Sequence, residues 1–176
     1  MSDSFILPNT RLNKILELLM EEINQSKIIE RDQPISWSIQ HIFSCSQLSK
    51  LLAMSRKEDI EIAGIAGAIH DIAIIRTGKF ENHGPEGGPM VREFLVSFNT
   101  RYGNQIGRIE QEEIELIVQA TINHTDKTNF TENYFDELIK DADSLDRYLH
   151  GKETYDFYIE RCTNALADLH LDNVIL

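Results

Sequence analysis

The sequence is poor in cysteine, proline and glycine, with two, four and nine of them in 176 residues. Cys45 and Cys162 make no disulfide framework and show no zinc-type pair spacing, so they read as reduced thiols. No stretch approaches the roughly 18 apolar residues of a membrane span. The first residues, MSDSFILPNT, lack the basic region and long apolar run of a secretory signal. These absences lead us to expect a cytoplasmic protein without a membrane partner. Basic residues are also scarce: 17 Lys and Arg face 29 Asp and Glu, a formal net charge of −12. A uniformly acidic surface repels a phosphate backbone, which argues against long nucleic acid as a partner. A small phosphorylated substrate stays open, because a bound cation and a few basic side chains reverse the local field.

What is present is helical periodicity. The length suits one domain over residues 1–176, and 41% hydrophobic residues suffice for a sizeable core. A first helix, capped by Asn9 or Thr10, carries Leu12, Ile15, Leu16, Leu19 and Ile23 at three- and four-residue spacing. A polar connector with Asp32 and Pro34 precedes a second helix over about 37–54, on which Trp37, His41, Cys45, Leu48 and Leu52 share a stripe. The third, over about 58–72, is apolar nearly all round after an acidic first turn and belongs at the centre of a bundle. Gly64 and Gly67 each cost about 1 kcal/mol there relative to Ala, which implies close approach of a neighbouring helix. Residues 76–89 read as a loop whose Gly78, Gly84, Gly87 and Gly88 supply conformational freedom at a pocket edge. Helices of about 86–99, 110–124, 134–150 and 152–170 follow, with FNTRYGNQIGRIEQ as a second irregular connection. No segment alternates convincingly as a strand. The expected fold is an all-α, single-domain helical bundle.

The chemistry centres on His70-Asp71, which closes the most apolar helix. A carboxylate there is costly unless compensated. A helix C-terminus adds to the penalty, and a bound cation would offset both. His41 lies on the inward stripe of its helix. His124 follows Ile117, Ala120 and Thr121 on an apolar face. Asp143 sits beside Ala142, next to the stripe of Leu138, Ile139, Ala142, Leu145 and Leu149. His83 opens the region that begins NHGPEGG. Four histidines and two aspartates on separate segments, all directed inward, are what a central metal site requires.

The order His41, His70-Asp71, His83, His124, Asp143 resembles the HD superfamily of metal-dependent phosphohydrolases. The stretches that carry the resemblance are WSIQHIFSCSQLSKLLA, AGIAGAIHDIA, HGPEGGPMVREFL, IELIVQATINHT and LIKDADSLDRYL, over about residues 37–149. The resemblance implies an HD-type bundle with His41, His70, Asp71 and Asp143 as core metal ligands. Asp71 would bridge two ions, and His83 and His124 would complete a second site. DADSLD offers Asp141, Asp143 and Asp146; the family pattern Ala-Asp-x-Leu selects Asp143 and leaves Asp141 and Asp146 to cap or to orient ligands. The arrangement is similar to bacterial HD hydrolases that cleave diadenosine tetraphosphate symmetrically. In those the Ala-Asp segment continues into a Tyr-Ile-Glu-Pro-like motif, whereas here it continues Ser-Leu-Asp.

The implied activity is hydrolysis of a nucleotide or other small phosphate ester by a metal-bound hydroxide, with His70 and Asp71 in catalytic positions. Imidazole and carboxylate ligands suit iron, manganese, cobalt, nickel or zinc, as one ion or two. Lys127, Arg147, Arg76 and Lys79 are the candidates to hold the remaining phosphate charge. A metal- or nucleotide-binding module without turnover and a dinucleoside-polyphosphate hydrolase are the alternatives.

Overall fold

In a computed structural model, the structure describes residues 9–152 and 155–171. These form eight helices and no strand: α1 Thr10–Gln25, α2 Ile35–Arg56, α3 Ile60–Ile69, α4 Ile72–Thr77, α5 His83–Ile106, α6 Gln111–Asn123, α7 Tyr134–Leu149 and α8 Asp156–Asp168. The fold is all-α. Among the described residues no helix is long and apolar enough to cross a membrane.

The centre is α3, buried from Glu61 to Ile69 with α2 packed along it. Its glycines permit this contact. A Cβ on Gly67 would stand 2.8 Å from the Cys45 carbonyl oxygen, and one on Gly64 would stand 2.9 Å from Leu12 of α1. Interiors this dense resist even one added methyl group. Leu12, Ile15, Leu19 and Ile23 bring α1 onto the same core, as the spacing of its apolar residues predicts.

Three expected boundaries were wrong. The helix expected over 58–72 breaks at His70-Asp71, and Asp71 begins a separate short helix, α4. The penalty expected at a helix C-terminus is thereby relieved, because Asp71 stands at the start of α4, where the dipole favours an anion. The expected loop over 76–89 shrinks to residues 78–82. Asp32 pins that turn: its carboxylate accepts from the Phe80 amide at 2.8 Å and from Lys79 Nζ at 3.0 Å. Gly84 and Gly88 lie within α5 and serve packing rather than freedom. A Cβ on Gly84 would meet the Ile122 carbonyl at 2.9 Å, and one on Gly88 the Ile122 side chain at 2.6 Å. This close approach of α5 to α6 brings His83 beside His124. Finally, most of the second irregular connection is helix, since α5 runs on to Ile106.

Helix α7 is buried on nearly every side from Phe135 to Asp146, charged residues included. Its apolar stripe of Leu138, Ile139, Ala142 and Leu145 meets the core, while Leu149 at its end is exposed. The charged face is satisfied by Arg161 of α8, which is fully buried. Arg161 Nη1 donates to Glu137 Oε2 at 2.8 Å and Asp141 Oδ1 at 2.9 Å. Its other nitrogens donate to the carbonyls of Lys127 and Asn129, tying the loop after α6 to both helices.

Candidate metal centre

The six residues singled out by the sequence meet at one place, and each reaches it for a local reason. His41 projects from the middle of α2, with its ring stacked on Trp37 at 5.2 Å between centroids. His70 ends α3, Asp71 turns at the α3–α4 break, and His83 opens α5 after Asn82, which adopts a left-handed conformation that Asn tolerates. His124 ends α6, and Asp143 comes from the middle of α7.

Each histidine presents Nε2 to the cluster. His41 Nδ1 donates to Asp146 Oδ2 at 2.6 Å. His70, His83 and His124 each donate Nδ1–H to the carbonyl three residues back, at 2.9, 2.5 and 2.6 Å. A carbonyl only accepts, so these bonds fix the tautomer and leave Nε2 with a free lone pair.

The Nε2 atoms fall into two sets that share Asp71. In the first, His41 Nε2 lies 3.2 Å from His70 Nε2, 3.4 Å from Asp71 Oδ2 and 3.3 Å from Asp143 Oδ1. In the second, His83 Nε2 and His124 Nε2 are 3.1 Å apart and lie 3.4 and 3.3 Å from Asp71 Oδ1. Ligands about 2.1 Å from an ion stand about 3.0 Å apart on an octahedral edge and about 3.4 Å apart on a tetrahedral one. The second set matches that separation; in the first the distances from His41 match it, while His70 Nε2 stands 3.7 Å from Asp71 Oδ1 and 4.0 Å from Asp143 Oδ1.

The residues fit cations for a second reason. The lone pairs of His83 and His124 face each other at 3.1 Å, an arrangement that repels unless a positive charge lies between them. Asp71 Oδ1 is buried and has no hydrogen-bond donor among the described residues. A buried carboxylate oxygen without a donor costs several kcal/mol, of order 1–3 or more, and an ion removes that cost. His41, His70, Asp71 and Asp143 can therefore hold one ion, and His83, His124 and the second oxygen of Asp71 another. Cys45 also comes within reach of His41 and His70, and burial pushes its thiol up in the absence of an ion.

Electrostatics without an ion follow from burial and crowding. Burial presses His70 down to about 4, opposed by the charge of Asp71. Burial also presses on His41, but hydrogen bonds to Asp143, Asp146 and Asp71 outweigh it and hold that imidazole well above its usual range. Burial opposes the charged forms of Asp71 and Asp143, yet His70 beside the one and Lys127 beside the other keep both well below the carboxylate range. Without an ion the cluster thus favours charged Asp71 and Asp143 and a neutral His70, while His41 is held strongly basic.

The other candidates separate. Lys127 is buried and pairs with Asp143 Oδ2 at 2.6 Å, which fixes the carboxylate with Oδ1 toward His41. Arg147 lines the pocket of ≈ 220 Å³ that opens onto Asp71, His83, His124 and Asp143. Arg76 does not reach this pocket; it turns to Glu22 at 2.9 Å and lines a groove with Phe94 and Phe98. Lys79 is bound by Asp32 on the surface. Both stood in what was expected to be a loop over the site, and the extra helix carries them away from it. Asp141 faces Arg56 and Arg161, and Asp146 orients His41. Tyr158 and Arg161 are additions that sequence reasoning missed. Arg161 lies on the α8 stripe with Cys162, Ala165 and Leu166, a spacing that marks it as inward.

No curated protein and no solved structure matches the chain. Residues 38–148, more than half of it, match the family described as HD domain.

Proposed function

The chain belongs to the HD domain family, and from this footing we propose that it is a metal-dependent phosphohydrolase acting on a nucleotide or other small phosphate ester. The observation that carries this reading is the shared carboxylate: Asp71 offers one oxygen to His41 and the other to His83 and His124. Members of the family are generally metal-dependent phosphohydrolases, and paired ions about 3.5–4 Å apart suit displacement at phosphorus. Ions bound there supply a water that ionises near neutral pH and a counter-charge for phosphoryl oxygens.

The remaining work falls to the chain's own groups. Asp71 would set the separation of the two ligand sets and, lining the pocket, is the carboxylate we assign to take a proton from the nucleophile. His70, held by the Gly67 carbonyl, keeps its Nε2 aimed at the cluster. Trp37, packed on His41, excludes water from one side of the cluster and raises the strength of every charge interaction inside it. Arg147 at the pocket wall meets the negative charge of the ester. The cavity of ≈ 220 Å³ is below the roughly 300–1,000 Å³ of drug-sized sites, which favours a small ester over a dinucleoside polyphosphate.

The test is hydrolysis of a panel of nucleotides, dinucleoside polyphosphates and simple phosphomonoesters with Mn, Fe, Co, Ni and Zn. Turnover of at least one class by the wild type, abolished in Asp71→Ala, is the expected result. Bound metal with no turnover across the panel would make the chain a binding module instead.

A further inference from the structure

Helix α8 lies beyond the segment that matches the family, yet it reaches the pocket. Tyr158 opens the inward stripe of α8, which continues through Arg161, Cys162, Ala165 and Leu166 at three- and four-residue steps. Arg161, one turn further on, clamps this stripe to α7 through Glu137 and Asp141. The Tyr158 ring is fixed by Phe157 and Tyr155, at 4.8 and 6.4 Å between centroids. Those rings belong to the start of α8 itself, and the Arg161 clamp is what holds that end of the helix against α7 at the pocket.

Across from it stands Arg147, with its guanidinium carbon 5.9 Å from the Tyr158 ring centroid. Arg147 Nε is buried without a partner. Among the described residues neither the Arg147 guanidinium nor the Tyr158 hydroxyl has a hydrogen-bond or ion-pair partner. An unpaired arginine is unexpected in a chain with 29 acidic residues to 17 basic ones. The other basic residue of the pocket, Lys127, is already paired with Asp143. Burial, then the charges of Asp143 and Asp71, push the Tyr158 hydroxyl up, so it remains a donor. The wall thus offers the guanidinium donors of Arg147 and the hydroxyl donor of Tyr158, neither taken up by a protein acceptor among the described residues, beside a cluster that would hold the ions.

We propose that Arg147 and Tyr158 form a two-donor subsite for the phosphoryl oxygens of the substrate, so that α8 completes the site. This rests on the phosphohydrolase reading. Arg147 supplies charge and a planar fork of donors, and Tyr158 adds a single directed hydrogen bond.

Inorganic phosphate, titrated calorimetrically into Mn-loaded protein, is the probe. Tyr158→Phe keeps the ring and its packing and removes only the hydroxyl. It is expected to weaken phosphate roughly tenfold, as loss of one hydrogen bond to a charged group does, with metal content and melting temperature unchanged. Arg147→Ala is expected to weaken it at least as much. Wild-type phosphate affinity in Tyr158→Phe would overturn the proposal, as would a wild type that binds no phosphate. If phosphate binding depends on Tyr158 but no ester is hydrolysed, the hydrolase reading fails and the subsite stands. If esters are hydrolysed and Tyr158→Phe binds phosphate normally, the subsite fails and the hydrolase reading stands.

Discussion

His41 donates its Nδ1 hydrogen to Asp146 Oδ2 across 2.6 Å, with both side chains buried. The two lie 105 residues apart, on α2 and α7. This bond decides which imidazole nitrogen faces the cluster. Asp146 also meets His150, whose Nδ1 stands 3.3 Å from Asp146 Oδ1. The His150 hydrogen bond goes to the Asp146 carbonyl at 2.9 Å, so among the described residues the carboxylate's one hydrogen bond is the one that holds His41.

Asp146→Asn should therefore weaken metal binding without emptying the fold. A carboxamide keeps the shape but gives up the charge that orients and enriches His41. The expected loss of affinity is about 10- to 100-fold, the usual effect of removing a partner behind a metal-binding histidine. Isothermal titration with Mn or Zn measures it, and an unchanged affinity would deny Asp146 this role.

On the proposed two-ion reading, His83 and His124 are the second ligand set, which shares Asp71 with the first. His83→Ala and His124→Ala should each lower the metal content from two ions per chain to one. Elemental analysis of the dialysed variants reads this directly. A variant that keeps two ions would show that the pair of Nε2 atoms holds neither.

Arg161 gathers four acceptors at the α7–α8 contact: Glu137, Asp141 and the carbonyls of Lys127 and Asn129. Its replacement by Met leaves two carboxylates short of a buried partner. The expected destabilisation is about 3–5 kcal/mol, the range for breaking one side of a buried pair. Urea unfolding measures it. A loss below about 1 kcal/mol would mean that Lys140 and Arg56 compensate.

Glu137 gives this contact a pH dependence. Burial opposes its charge, but Arg161 and Lys140 more than offset that and hold the carboxyl below its usual value of 4.5. A folded value below the unfolded one means that the stabilisation is present above about pH 4.5 and is lost as pH falls through the folded value. Glu137→Gln should flatten the fall in urea midpoint below pH 4.5 relative to wild type. An equally steep fall in the variant would assign the acid sensitivity to other groups.

Much of this was legible in the sequence, because apolar spacing records which face of a helix is inward. The stripe of Trp37, His41, Cys45 and Leu52 placed His41 inside, and the stripe on α7 did the same for Asp143. The break at His70-Asp71 was not legible, since α3 and α4 are both strongly apolar with no proline between them, and Asp71 at the N-cap of α4 makes no side-chain capping hydrogen bond. The run HGPEGGP reads as loop by composition, yet it is helix, because its glycines pack against Ile122 and Thr121 of α6, which lie some 35 residues on. Arg147 was a candidate for its position one turn after Asp143. The α8 stripe marks Arg161 as inward, but which groups Arg161 and Tyr158 meet is set by where α8 docks, which no local pattern encodes.

Metal content of the wild type tests the central claim most directly. Protein loaded with Mn or Zn, dialysed against metal-free buffer and assayed by elemental analysis should retain two ions per chain. Protein that retains none, with the histidines and aspartates intact, would contradict the account.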